Sequence, residues 1–306
     1  MKLNDKEVKN FQEIIWGFYK NHKRDLPWRP PLLKVLNDGF LDAYKIVVSE
    51  IMLQQTQVPR VIEKYYEFIK KFPTFEALSQ ASIADVLSAW QGLGYNRRAL
   101  FLKRTAQEIL KKQKEPKLQT GNNRSDVSIH HYMIPEFLET LPGIGKNTAR
   151  SIYVFAFNKP EVFIETNIRR VFIHEFYSHS YTLDPEPSTL SKIHDNQLYP
   201  LIEQTLDRTN PREWYYALMD YGSHLPKIVT NPNRQSKHYT KQSKFEGSLR
   251  QVRGRILKIL LNKKSLSIEE LKKEVKTSEE YFENALAQLL KEQFLKAENN
   301  KIKIRK

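Results

Sequence analysis

Leu141-Pro142-Gly143-Ile144-Gly145-Lys146-Asn147-Thr148-Ala149 reads as a glycine turn that opens directly into a helix. Glycine lets another backbone come close, and a helix start presents unpaired N–H groups with partial positive charge, so such a turn suits a phosphate. Taken alone, it fits a plain turn between helices equally well. Outward from it, from the first residue to about Asp220, apolar residues recur at spacings of three and four, with breaks at Pro27, Pro73, residues 92–94 and residues 142–145. β-branched runs are few and short, so the pattern predicts a mainly α fold. Two polar stretches, 30–42 and 114–131, read as loops inserted between helices.

With 306 residues, 40% of them hydrophobic, the chain can bury a full core as two domains or one large domain with an appendage. Lys and Arg total 50 against 35 Asp and Glu, a formal net charge of +15. That excess favours a polyanionic partner over a small acidic substrate, with an ordinary solvated basic surface as the alternative of equal weight. The absence of cysteine excludes disulfides, thiolate-bound zinc and cysteine-bound iron–sulfur clusters. Residues 1–20 set Phe11, Ile14, Ile15 and Phe18 at helical spacing among charges, which reads as an amphipathic helix and not a signal peptide. No stretch is apolar for long enough to span a bilayer, and a cytoplasmic location is expected.

Past Gly222 the sequence turns polar and basic, and residues 231–247 read as a linker. Beyond it come an apolar helix at 252–261, a Ser-capped helix at 267–275 and a second Ser-capped helix from Ser278 to Gln293. Strands at 294–297 and 301–304 flank an Asn299-Asn300 turn. Three helices and a two-stranded ribbon over 248–306 make a winged helix, a module that enters DNA grooves in some proteins and docks protein in others.

Two carboxylates stand in unexpected company. Glu50 lies within Ile46-Val47-Val48-Ser49-Glu50-Ile51-Met52-Leu53, apolar on nearly every side. An acid there must be paired, reached by solvent through a cleft, or protonated with a raised pKa, and the last suits a general acid. A structural salt bridge to Arg24 or Arg29 is the plainer alternative. Glu165 ends an apolar run and opens a new helix, where it is either chemically active or a first-turn acid favoured by the helix dipole and paired with Arg169.

Together these segments resemble the helix-hairpin-helix (HhH-GPD) DNA glycosylase superfamily, and within it the MutY-type adenine glycosylases. The resemblance spans roughly residues 8–225 and is carried by RDLPWR (24–29), YKIVVSEIMLQQTQV (44–58), GLGYNRRA (92–99), LPGIGKNTA (141–149) and IETNIRRV (164–171). It implies a two-lobed helical glycosylase domain over 1–230, with one lobe at about 44–165 and the other from 1–43 and 166–230, followed by the linker and winged helix. It implies that Glu50 protonates N7 of an extruded adenine, that Glu165 stabilises the oxocarbenium-like sugar and directs water, and that Asn167 braces the site. Arg24, Trp28, Arg29, Leu53, Asn147 and Tyr216 would form the base pocket. Gln55 and Tyr95 would fill or pry the gap left by the base, while Leu141, Gly143, Gly145, Lys146 and Thr148 would hold the DNA backbone, with Na+ or K+ bound at the hairpin carbonyls. The chemistry agrees: cleaving an N-glycosidic bond needs one acid for the departing base and one carboxylate against the developing positive charge.

The sequence departs from that family in several places. Bifunctional relatives such as endonuclease III carry a Schiff-base lysine directly before the Thr of the hairpin motif, where this chain has Asn147, so lyase chemistry lacks its amine. Glu165 replaces the usual Asp and is one methylene longer. The four cysteines that follow the segment matching ALMDYG (217–222) in most relatives are missing, so that loop must pack by other means. Tyr216 stands where Glu or Gln often meets adenine, and a winged helix takes the place of a Nudix-like domain. The expectation is a monomeric, monofunctional enzyme on double-stranded DNA that removes adenine opposite guanine or 8-oxoguanine, with no cofactor and no side-chain metal site. Removal of thymine or uracil opposite guanine is the alternative within the class. Outside it stands a non-catalytic lesion sensor or winged-helix regulator.

Overall fold

A computed structural model describes residues 1–115, 129, 132–177 and 192–305 of the chain; the expected insertion at 114–131 lies almost entirely outside them. Along the chain come α1 (Asp5–His22), α2 (Ala43–Leu53), α3 (Val58–Lys71), α4 (Phe75–Gln80), α5 (Ile83–Trp90), α6 (Arg97–Lys114), α7 (Pro135–Leu138), α8 (Lys146–Phe157), α9 (Thr166–Tyr177), α10 (Asp195–Thr205) and α11 (Pro211–His224). The C-terminal part adds α12 (Leu249–Lys263), β1 (Ser265–Leu266), α13 (Ile268–Val275), α14 (Glu279–Lys291), β2 (Leu295–Glu298) and β3 (Lys301–Ile304). The mainly α reading holds. No described helix is long and apolar enough to cross a membrane.

The chain divides into two units, one of residues 1–46, 133–139 and 145–241, the other of 47–132, 140–144 and 242–306. The first is built on aromatic packing. Helix α1 starts at a reciprocal capping box between Asn4 and Glu7 and buries Phe11, Ile15 and Tyr19, four residues apart on one face. Phe11 meets Phe172 of α9 at 5.1 Å and Trp214 of α11 at 6.0 Å between ring centroids. Helix α8, expected in the 44–165 lobe, belongs here instead, because Phe155 stacks on Tyr216 at 4.8 Å and also meets Phe163.

The start of the expected linker is likewise part of this unit. Residues 232–235 form a 3₁₀ turn in which Pro232 and Asn233 are buried. Asn233 Nδ2 donates to the Thr166 carbonyl, the Asn231 side chain accepts from Arg170, and Ser236 bridges to Ile193. A polar sequence had concealed this packing, which rests on hydrogen bonds where an apolar loop would use area.

The second unit stacks short capped helices. Thr74 caps α4 and Ser82 caps α5, and Trp90 and Phe68 pack edge to face. The winged helix forms as expected: Ser267 and Ser278 cap α13 and α14, and Asn299 and Asn300 take positive φ in the β2–β3 turn. β3 lies between β1 and β2 in an antiparallel sheet. Two-residue β1 was too short to announce itself.

Candidate active site

In the second unit, Val47, Val48, Ser49, Ile51 and Met52 of α2 are all buried, and Glu50 alone between residues 47 and 52 is half-exposed. Of the expected features of this acid, reach to solvent is observed. At the end of α2 the backbone reverses at Gln55, which is exposed and sits at φ +56, a left-handed conformation rare outside glycine. Tyr95, at the tip of the next turn, has φ +46 and is half-exposed. The two residues expected to enter a duplex are therefore the strained points of two neighbouring turns.

Arg98 joins those turns. From the first turn of α6 its buried guanidinium donates to the carbonyls of Ile51 at 2.9 Å, Met52 at 2.8 Å and Gln54 at 2.6 Å, which belong to the end of α2. Its other nitrogen donates to Thr56 Oγ1 at 2.9 Å and to the carbonyls of Leu93 and Gly94, each at 3.2 Å. A cation suits these unpaired carbonyls at a helix C-terminus. Burial pushes its pKa down to about 10, which leaves it charged at neutral pH.

The glycine turn is tied to the same place, with Gln54 Nε2 donating to the Gly143 carbonyl at 3.1 Å. Gly143 has φ +77, and a Cβ there would stand 2.6 Å from Phe101 Cδ2, so no other residue fits. Gly145 is the N-cap of α8 and has open space where a side chain would be, which leaves bare backbone for a phosphate. The carbonyls of Leu141 and Gly143 each accept one hydrogen bond and keep a second lone pair. Such oxygens fit a monovalent cation. Lys146 is exposed and Thr148 half-buried, while Leu141 is buried and anchors the turn in the core.

In the first unit Glu165 caps α9. Its Oε1 accepts the backbone N–H groups of Asn167 at 2.8 Å and Ile168 at 3.1 Å, and its Oε2 accepts Asn167 Nδ2 at 3.3 Å. Desolvation raises its pKa above the usual glutamate value, against the opposing pull of those donors and of the Arg170 charge. The expected pairing with Arg169 is not formed, because Arg169 binds Asp195 through two bonds of 2.7 Å. Asn167 is braced in turn: Arg170 Nη1 donates to its Oδ1 at 2.9 Å and to the Gly222 carbonyl at 2.6 Å. Asn147 is joined to the same segment, its Oδ1 accepting Ile164 N–H and the Tyr199 hydroxyl, each at 3.2 Å. A lysine there would supply no acceptor for that N–H.

Half of the expected base pocket is core. Trp28, Arg29 and Tyr216 are 4%, 2% and 2% exposed. The Arg29 guanidinium lies 4.2 Å from the Tyr216 ring centroid, and Phe155 stacks on the same ring. Arg24 and Arg29 both bind buried Asp220, at 2.6 and 2.8 Å. Asp220 is the acid that both arginines hold, and the Tyr216 ring is packed between Arg29 and Phe155. Leu53 is half-exposed.

The sequence reading missed Arg98, Asp220, Arg170 and Gly222. Arg98 carried a signal, since it continues the buried stripe of Leu102, Thr105, Ala106 and Ile109 on α6. Asp220 did too, as a lone acid on the buried face of α11 with Tyr216 and Ala217.

Comparison with known proteins places these features in a family. The model of the HhH-GPD superfamily base excision DNA repair proteins matches residues 48–203. Over 257 residues, 82% of this chain, the sequence is 31% identical to the adenine DNA glycosylase of Rattus norvegicus and spans 44% of that protein's length. Over 271 residues, 80% of this chain, it is 31% identical to the adenine DNA glycosylase of Mycobacterium tuberculosis and spans 77% of it. Among solved structures, a thermostable thymine-DNA glycosylase shares the fold, with a TM-score of 0.55 and 21% identity over 76% of this chain and 94% of its own. With half of its length in that family's model and its motifs on the helices and turns described above, this chain belongs to the HhH-GPD superfamily of base excision DNA repair proteins.

Proposed function

We propose that this chain is a monofunctional DNA glycosylase that hydrolyses the N-glycosidic bond of an adenine extruded from a mispair with guanine or 8-oxoguanine in double-stranded DNA. The observation that carries the reading is Glu50, the one side chain of residues 47–52 that reaches solvent in an otherwise buried run of α2. The names of the two similar adenine glycosylases support adenine as the base.

In this reading the Glu50 carboxyl gives its proton to N7 of the base, the C1′–N9 bond breaks and its electron pair leaves with adenine. Glu165, fixed by the N–H groups of Asn167 and Ile168, opposes the positive charge left on the sugar and directs water to C1′. A desolvated carboxylate interacts more strongly with such a charge than one in water. Asn147 offers no nucleophilic amine, so water forms the new C1′–O bond, its proton passes to the Glu165 carboxylate, and the strand stays intact. A monovalent cation bound at the carbonyls of the glycine turn would lend the phosphate a positive charge.

The test is excision from duplexes carrying adenine, thymine or uracil opposite guanine or 8-oxoguanine, with and without alkali. Breaks at adenine that need alkali are expected. Breaks without alkali overturn the monofunctional assignment, and a preference for thymine or uracil overturns the choice of base. Glu50→Gln should lower the single-turnover rate at least about a thousandfold while duplex affinity stays within a few fold. A Glu50→Gln enzyme with normal turnover removes Glu50 from the reaction.

A further inference from the structure

The winged helix remains without a task in that scheme, and its surfaces narrow the choice. A winged helix that reads DNA lays the start of one helix against base edges. Here α14 opens with exposed Glu279, Glu280 and Glu283, whose charges repel phosphates. The module's other side is joined to the helices of its own unit. Glu292 binds Arg97 of α6 as well as Arg253 of α12, and Arg104 of α6 donates to Gln293 at 3.2 Å.

This junction ends on Tyr95. The phenol oxygen meets Nε2 of Gln242 and Nη1 of Arg250. The Arg250 guanidinium lies 5.2 Å from the ring centroid, and that of Arg98 lies 5.6 Å from the same centroid. Arg250 is itself held, its Nη2 donating to the carbonyl and hydroxyl of Ser243 at 2.8 and 3.1 Å. A tyrosine at positive φ relaxes unless its surroundings over-determine it. Arg98 fixes the backbone of its turn, and the appendage fixes its side chain.

We infer that the winged helix, through Arg250, and the end of the linker before it, through Gln242, position Tyr95 for entry into the duplex, so that the appendage acts on extrusion of the base and not on cleavage of the bond. The inference rests on the reading of Tyr95 as a residue that enters DNA. It requires Arg250 and Gln242 to matter only while the Tyr95 hydroxyl is present.

Stopped-flow fluorescence on a duplex with 2-aminopurine at the target position follows extrusion, and a single-turnover assay on an adenine mispair follows cleavage. Arg250→Ala, at a half-exposed position, and Gln242→Ala, at an exposed one, should each slow opening about tenfold, with duplex affinity within about twofold and thermal stability little changed. Tyr95→Phe should slow it similarly, and Tyr95→Phe combined with Arg250→Ala should be no slower than the worse single variant. Equal opening rates in the intact chain and both alanine variants overturn the inference, and so do additive effects in the double variant. An intact chain that opens the duplex but releases no base overturns the proposed activity alone. One that opens no duplex overturns both.

Discussion

One buried charge in each unit, Asp220 in the first and Arg98 in the second, is satisfied in the opposite way to the other. Asp220 of the first unit gathers two cations, Arg24 and Arg29, at 2.6 and 2.8 Å. Arg98 of the second has no carboxylate partner among the described residues and gives its protons to backbone carbonyls and one threonine hydroxyl. An ion pair fixes side chains to one another. A guanidinium spread over carbonyls fixes the path of the main chain, and here that path carries Gln55 and Tyr95. Asp220 thus serves stability, and Arg98 the shape of two turns.

Asp220→Asn is the largest expected effect, because it leaves Arg29 buried beside a neutral group. Stability should fall by about 3–5 kcal/mol, measured by denaturant unfolding. Arg98 tests the other half of the contrast. Arg98→Met strands several carbonyls and should cost about 3 kcal/mol. Arg98→Lys keeps the charge but loses the planar fork, so it should recover little duplex opening even where it recovers stability. A lysine variant with full opening would mean that charge suffices and the contrast is false.

Gly222→Ala should act next, by overpacking. A Cβ on Gly222 would run into the Asn167 carbonyl oxygen and stand 2.8 Å from its carbon, so α11 must move off the helix start that holds Glu165. A loss of about 2 kcal/mol is expected, with a larger fall in single-turnover rate than in duplex affinity. Unchanged turnover at reduced stability would show that the Asn167–Glu165 geometry tolerates the shift.

The legible parts of this fold were those governed by local rules. Ser267 and Ser278 announced their helices, Asn299 and Asn300 their turn, and Gly143 its close approach to a neighbour, here Phe101. The two acids stood out because each interrupts an apolar run. What stayed hidden was set by partners far along the chain. Trp28, Arg29 and Tyr216 look like a base pocket until Asp220, about 190 residues from Arg29 in sequence, claims the arginine. The segment 231–236 reads as linker because hydrogen bonds to Thr166 and Arg170 leave no trace in hydropathy.

The smallest effect concerns Glu165, whose charge the first unit tolerates at a cost. Its pKa is raised in the folded protein by desolvation, so the folded state holds that proton more tightly than the unfolded chain does. The stabilising contribution is then complete below the ordinary glutamate pKa and is lost as pH rises through the folded value. Glu165→Gln keeps an oxygen for the Asn167 and Ile168 N–H groups and cannot ionise. The variant's stability relative to the intact chain should therefore increase from acid to neutral pH, by about 1 kcal/mol for each unit by which the pKa is raised. Ionisation of Glu165 should likewise produce the rising acid limb of the intact chain's single-turnover rate, since the sugar's charge is opposed by the ionised form alone, and loss of the Glu50 proton should produce the falling limb. A stability difference that does not change with pH would mean that Glu165 ionises as freely as in water, and the carboxylate would then be a helix cap with no stored cost to spend on the transition state.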